Sequence, residues 1–263
     1  MTDAVVFDAV RTPRGRGKAT GALHAVKPIS LVTQLIAALG ERNPSLDRGT
    51  IDDIVLGVVE PHGDQGGDIA RTAAIASGLP QEVAGVQLNR YCASGLEAVN
   101  QAAARVRGGW ESLIVAGGVE SMSRVRMGSG GDPWMMDPET SLASSFIPQG
   151  VSADLIATIE GYTRADVDAF AVESHHRAAK AWADGRFDRS VVPVRDRVGA
   201  VIIERDEMVR SDASLDSLSG LRPSFAQSGE DGGFDHVALQ RYPAVESIAH
   251  VHHAGNSSAV VDV

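Results

Sequence analysis

Cysteine is nearly absent: Cys92 is the single one in 263 residues. One thiol cannot close an internal disulfide, which excludes the stapled secreted scaffolds and fits a reducing compartment. Aromatic residues are scarce at 5%, so a core has to be built from aliphatic and small side chains. No stretch approaches the ~18 apolar residues that a membrane span needs. The first residues, "MTDAVVFDAV", carry acid where a secretory leader carries base, and their apolar run is too short for one. Positive charge is also in deficit, 24 Lys and Arg against 34 Asp and Glu for a net charge of −10. That balance argues against nonspecific attachment to nucleic acid or an anionic membrane surface, while leaving room for a local basic pocket. The expectation is a cytoplasmic protein with neither a nucleic-acid nor a membrane partner.

Hydrophobic residues make up 43% of the chain and charged residues 22%, enough apolar side chain for one or two domains. In the first 120 residues two patterns alternate. Short, nearly continuous apolar runs recur at 4–10 ("AVVFDAV"), 53–59 ("DIVLGVV"), 84–89 ("AGVQLN") and 112–118 ("SLIVAGG"). Runs of this kind suit strands buried on both faces. Helix-period segments lie between them at 29–42, 68–78 and 94–109. Strand–helix alternation predicts a parallel sheet covered by helices, an α/β fold.

After residue 120 the texture changes. Residues 122–160 mix Gly, Ser, Pro and Met without a sustained period, so loops and short pieces are expected there. The segment 163–185 predicts a helix capped by Thr163 and ended by Gly185, with an apolar stripe of Val167, Phe170, Ala171, Ser174 and Ala178. Strand-like "SVVPV" and "AVIIERDE" follow, then a short helix in "LDSLSGLRPSF". Residues 226–250 read as a polar insertion with a Gly-rich start.

Cys92 sits in "NRYCASGL", after one predicted strand and just ahead of a predicted helix. On the residues alone it has two readings. Free cysteine commonly packs as a small buried hydrophobe. A thiol at a helix N-terminus instead faces unpaired N–H groups that favour the nucleophilic thiolate. Small neighbours, Ala93, Ser94 and Gly95, would let a bulky acyl group approach. Other patterns carry less. "GRGKATG" lacks both the dinucleotide spacing and the Ser or Thr that a phosphate loop needs after Lys18. The pairs His175–His176 and His252–His253 invite a metal site, yet adjacent helical residues diverge by about 100° and rarely converge on one ion. No metal is expected.

Five ordered segments resemble the thiolase family: "DAVRTPRGRGKATGAL", "NRYCASGLEAV", "VAGGVESMS", "RSDASLDSLSGLRPSF" and "HHAGNSS". The resemblance, to acetyl-CoA acyltransferases and acetyltransferases, runs from residue 4 to the last residues. It implies a layered thiolase-like fold, a parallel-rich mixed sheet with covering helices, as a βαβαβαβ half with an inserted α+β loop domain. Residues 1–121 with 251–263 would form the N-terminal domain, and 122–250 the inserted loop and CoA-binding domain. It implies that Cys92 is the acylated nucleophile in cleavage of a 3-oxoacyl-CoA by a second CoA, or in acetoacetyl-CoA formation. No permanently bound cofactor is implied, with coenzyme A and acyl-CoA as substrates, and a homodimer or homotetramer. Arg210, Ser217 and Ser258 would contact CoA. By its own chemistry Arg210 suits a phosphate or adenine as well as a solvated surface, and Ser258 could equally cap a helix beginning near Asn256.

Departures from the family are equally legible. Complete thiolases carry a second domain with a Gly-His-Pro histidine, an Asn-containing oxyanion loop and a Cys-x-Gly acid/base cysteine, none with a counterpart here. The expectation is a chain that stops before that domain, with the last strand of the first sheet missing and activity weak or absent. Pro148 and Gln149 stand where biosynthetic members have His-Met, which leaves acyl-chain preference open. The alternative is a noncatalytic module that binds CoA or a full-length partner.

Overall fold

The computed structural model describes residues 3–263. Its elements run β1 (Gly15–Arg16), α1 (Pro28–Arg42), β2 (Asp53–Gly57), α2 (Ile69–Ala76), β3 (Ala84–Leu88), α3 (Ser94–Arg107) and β4 (Ile114–Gly118). They continue with α4 (Pro133–Met136), α5 (Pro138–Ser144), α6 (Gln149–Glu160), α7 (Arg164–Ala183), β5 (Val194–Arg195) and β6 (Val201–Ile203). Last come α8 (Leu215–Ser219), α9 (Ala226–Glu230), α10 (Phe234–Arg241) and β7 (Val261–Asp262). Two compact units result: Met1–Gly130 with Phe187–Met208 and Val260–Val263, and Gly131–Arg186 with Val209–Ala259.

In the first unit β2 is the centre of a parallel sheet ordered β3-β2-β4, with Ile54 opposite Gly85 on one side and Val115 on the other. Parallel neighbours require right-handed crossovers. The step from β2 to β3 and the step back across it to β4 therefore place their helices on opposite faces. Ile54 and Leu56 accordingly pack with Val32 and Ile36 of α1 and with Ile69, Ala70, Ala73 and Ala74 of α2. Val55 faces the other way, toward the side where Ala98 and Ala102 of α3 are buried. Arg105 of α3 closes that face with an ion pair to Asp53 at 2.7 Å. The sequence expectation of strands buried on both faces holds for β2 alone, because β3 and β4 are the sheet edges and are partly exposed.

Three further expectations change. Residues 4–10 form no strand, and Val5, Val6 and Phe7 are 71%, 77% and 81% exposed. No strand among the described residues lies beside them, and an extended run without a partner ladder stays hydrated. Asp8 anchors it instead, through Arg42 at 2.7 and 2.8 Å and Asn43 at 3.0 Å. Residues 122–160 hold three helices, two of them started by Pro behind an Asp cap. The stretch 226–250 is likewise mostly helical, in α9 and α10.

Residues 187–208 cluster with the first unit. Arg11 pairs its backbone with Ser190 and Val192, and its guanidinium holds Asp206 by two bonds of 2.7 and 2.9 Å. The hairpin β5–β6 is tied to α1 by Gln34, which bonds Arg195 in both directions. The tail strand β7 pairs antiparallel with β1, and Val263 exchanges backbone bonds with Glu120.

The second unit is built on α6 and α7. The α7 start has the predicted Thr163 cap, completed by Asp166 as a capping box. Its expected apolar stripe does not form: Phe170 is 80% exposed, Ser174 is exposed, and the buried residue of α7 is Asp168. No helix among the described residues is long and apolar enough to cross a membrane.

Candidate active site

Strand β2 feeds a helix on one face of the sheet and its neighbour β3 feeds one on the other. The two connections diverge at the carboxyl ends of the strands, the end at which open α/β sheets accept ligands. Cys92 stands at that point, exposed, between the end of β3 and the start of α3.

The turn that carries it is held by side chains. Asn89 accepts the Tyr91 N–H on Oδ1 at 2.7 Å and donates its Nδ2 to the Val59 carbonyl at 2.9 Å. The Ser94 hydroxyl accepts from the Arg90 N–H at 2.8 Å and donates to the Tyr91 carbonyl at 2.6 Å. Between them Tyr91 adopts φ +48°, a left-handed conformation that costs a bulky residue roughly 1–2 kcal/mol. The strained residue thus immediately precedes the thiol. α3, with Ala93 at its N-cap, has no side-chain cap. The Ala93 and Ser94 N–H groups donate to the Arg90 and Tyr91 carbonyls at 3.1 and 3.0 Å, so the Gly95 and Leu96 N–H groups are those left for an oxygen presented beside Cys92.

Glycine lets this turn sit directly on the sheet. A Cβ on Gly57 would lie 2.2 Å from the Ser94 carbonyl carbon, and one on Gly118 would lie 2.9 Å from the Gly57 oxygen. Neither position tolerates a side chain without moving α3 or a strand.

Arg210, Ser217 and Ser258 lie in the second unit. Arg210 is exposed, and its backbone N–H donates to His175 Nδ1 at 3.2 Å. Burial, with the adjoining charges of Arg210 and His176, holds the His175 pKa below its ordinary value, which suits this acceptor role. His176 bonds the Ala213 carbonyl at 2.9 Å. The histidine pair on α7 therefore pins the segment carrying Arg210. Ser217 spends its hydroxyl locally, donating to the Ser214 carbonyl at 2.8 Å and accepting the Ser214 N–H at 3.1 Å in the cap of α8. Ser258 is exposed and caps nothing, because no helix forms at Asn256. The Asn256 side chain is committed elsewhere, to Asp168, the Val251 carbonyl and the His253 N–H. Gly255 lies against Leu218 and Leu221, so the loop leading to Ser258 and the helix bearing Ser217 are neighbours.

Sequence reasoning missed a buried acid–histidine framework beside these residues. Asp154 is fully buried and accepts from the Val251 and His252 N–H groups at 3.0 Å, from His252 Nδ1 at 2.7 Å and from His250 Nδ1 at 2.8 Å. The other nitrogen of His250 meets Asp235 at 3.0 Å. Burial opposes its charge, but hydrogen bonds to the two carboxylates outweigh that and raise the His250 pKa. Asp168 takes Arg164 at 2.7 Å with His253 and Asn256 at 2.8 Å, and these donors lower its pKa against the opposing effect of burial. The available signal was an acid inside an apolar helix, "SADLIATI", together with the histidine-rich "HVHH". Among the described residues no group of three or more His, Cys, Asp or Glu is placed to hold a metal ion.

Comparison with known proteins gives this geometry a family. Residues 4–231 match the thiolase N-terminal domain. The 3-ketoacyl-CoA thiolase of Shewanella loihica is 40% identical over 228 residues, covering 86% of this chain and 58% of that protein. The enzyme of the same name from Shewanella frigidimarina is 39% identical over 230 residues, with the same coverage. Among solved structures, the dimeric peroxisomal thiolase of Saccharomyces cerevisiae superposes with a TM-score of 0.80 at 28% identity, covering 99% of this chain and 62% of that one. The Bacillus anthracis acetyl-CoA acetyltransferase gives 0.71 at 31% identity, covering 85% and 59%. This chain thus spans 58% of the length of those curated relatives. With residues 4–231 matched and the α/β architecture shared, the chain belongs to the thiolase family.

Proposed function

We propose that this chain carries the nucleophile of an acyl-CoA thiolase, with Cys92 forming the acyl-thioester. The observation that supports this reading most directly is the exposed thiol on a strained turn at the carboxyl end of a parallel sheet, beside uncapped helix N–H groups. The thiolate adds to the ketone carbon of a 3-oxoacyl-CoA. The bond between that carbon and the acetyl-CoA methylene then breaks, and the departing carbanion takes a proton to give acetyl-CoA. The sulfur of a second CoA attacks the thioester, releasing acyl-CoA and restoring the thiolate. In this reading the Gly95 and Leu96 N–H groups of the α3 first turn receive the thioester oxygen.

Arg210, Ser217 and Ser258 are the proposed CoA contacts. Arg210 offers a fixed charge for a phosphate. Ser217 would bind only by exchanging its cap bonds, so Ser258, with its exposed hydroxyl, is the stronger contributor of the two. The setting is cytoplasmic fatty-acid or acetoacetyl-CoA metabolism in a homo-oligomer, with no permanently bound cofactor. The chain holds one cysteine and no Gly-His-Pro segment, so full turnover needs an activating base from elsewhere, and the chain alone is weakly active or inactive.

The test is mass spectrometry after incubation with acetyl-CoA or acetoacetyl-CoA. An acetyl increment on the peptide containing Cys92, lost in Cys92→Ser, is expected. The same increment at another residue would overturn the assignment. A noncatalytic module that binds CoA or a full-length partner is the second reading. It is favoured by CoA binding without acylation that persists when a separately expressed C-terminal half of a relative is added.

A further inference from the structure

A polar network at the carboxyl ends of β2 and β4 reaches the Cys92 turn. Gln65 is fully buried, although glutamine is seldom found so. Its Nε2 donates to Glu120 Oε1 at 2.6 Å and to the Glu60 carbonyl at 3.1 Å, and its Oε1 accepts the Ser121 N–H. The second oxygen of Glu120 accepts the Val59 N–H at 2.7 Å. The Val59 carbonyl is the group that Asn89 grips at 2.9 Å, and Asn89 in turn holds the Tyr91 N–H at 2.7 Å. An unbroken path therefore runs from Gln65 through Glu120, Val59 and Asn89 to the left-handed residue preceding Cys92.

We infer that Gln65 is a positioning residue for Cys92, acting through Glu120 to fix the β2 end on which the nucleophile turn hangs. This rests on the reading of Cys92 as the nucleophile. The polarity of the pair is specific. Glu120 offers two acceptors, one to Val59 and one to Gln65, and Gln65 supplies the donor to Glu120 and the acceptor to Ser121. Losing either partner strands a buried donor or acceptor. The Val59 peptide is then free to tilt, and Asn89 loses its fixed acceptor. Tyr91 has the incentive to relax out of φ +48°, swinging the thiol away from the α3 N-terminus. Exchanging the two residues, with Gln65→Glu and Glu120→Gln together, restores a donor–acceptor match between them and keeps acceptors for Ser121 and Val59. The bond it gives up, to the Glu60 carbonyl, lies outside the path to Tyr91. Each single substitution sets two donors or two acceptors face to face.

Amide hydrogen exchange with [15N]tyrosine tests this, because the chain has 3 tyrosines and Tyr162 and Tyr242 report on the second unit. In Gln65→Leu and in Glu120→Gln, exchange at Tyr91 is expected to accelerate about tenfold, the equivalent of one lost hydrogen bond, while Tyr162 and Tyr242 stay unchanged. The exchanged pair is expected to return Tyr91 close to its original rate. Acylation of Cys92 by a small acetyl thioester should follow the same order, since directional attack needs a fixed sulfur. An unaltered Tyr91 rate in the single variants, or failure of the exchanged pair to restore it, would overturn the positioning role. Absence of Cys92 acylation even with a separately expressed C-terminal half of a relative added would instead overturn the nucleophile reading, with the Tyr91 comparison still deciding the role of Gln65.

Discussion

His250 has a carboxylate on each side, Asp154 at 2.8 Å and Asp235 at 3.0 Å, and its side chain is only 7% exposed. Asp154 also serves His252, so the groups facing His250 are two acids and, beyond the first, a second imidazole. With its folded pKa raised above the ordinary 6.5, His250 contributes stability that is complete below about 6.5. That contribution is lost as pH rises through the raised value. Thermal melting of the chain is expected to show a falling midpoint over that window, and His250→Gln should flatten the slope while lowering the midpoint at acid pH. A slope that survives the substitution would show that another group governs it. Asp168 acts in the opposite sense: its lowered pKa makes its contribution vanish only as pH falls through the acid range.

At the scale of elements, the contact between β2 and the first turn of α3 decides where the thiol stands. Gly57→Ala puts a methyl 2.2 Å from the Ser94 carbonyl carbon, an overlap between two backbones with no flexible side chain to yield. A loss of about 1–3 kcal/mol is expected in urea unfolding, together with a changed rate of Cys92 alkylation by iodoacetamide. Unaltered stability would mean that α3 shifts freely. The elements themselves were largely legible, because β2, β3 and β4 are short apolar runs and α1 to α3 follow a helical apolar period, although only β2 is buried on both faces. Thr163 and Gly185 marked the ends of α7 for the same local reasons. What escaped was nonlocal. The run 4–10 has strand chemistry but no partner, and α7 buries Asp168 because His253 and Asn256 come to it from another segment to join Arg164 of its own helix. Cys92 was legible as a candidate from its strand–turn–helix setting. Gln65 was not, since a lone glutamine shows its partners only when the strand ends meet.

Across the whole molecule, Val5, Val6 and Phe7 stand exposed while β3 and β4 present the open edges of the sheet. Apolar side chains and unpaired strand edges both promote association. Light scattering is expected to show concentration-dependent self-association that Val6→Lys with Phe7→Lys reduces; association insensitive to both changes would place the contact elsewhere.

The pairing of β7 with β1 joins Asp262 to Gly15, residues from nearly opposite ends of the sequence. Bringing such distant segments together carries a loop-closure entropy that grows with the logarithm of the intervening length, offset by two paired residues on each strand and the bonds of Val260 to Gly17 and Val263 to Glu120. Chains rich in such remote pairings fold slowly. During refolding the first unit is therefore expected to acquire its three-stranded sheet early, from neighbours in sequence, and the β1–β7 clasp last.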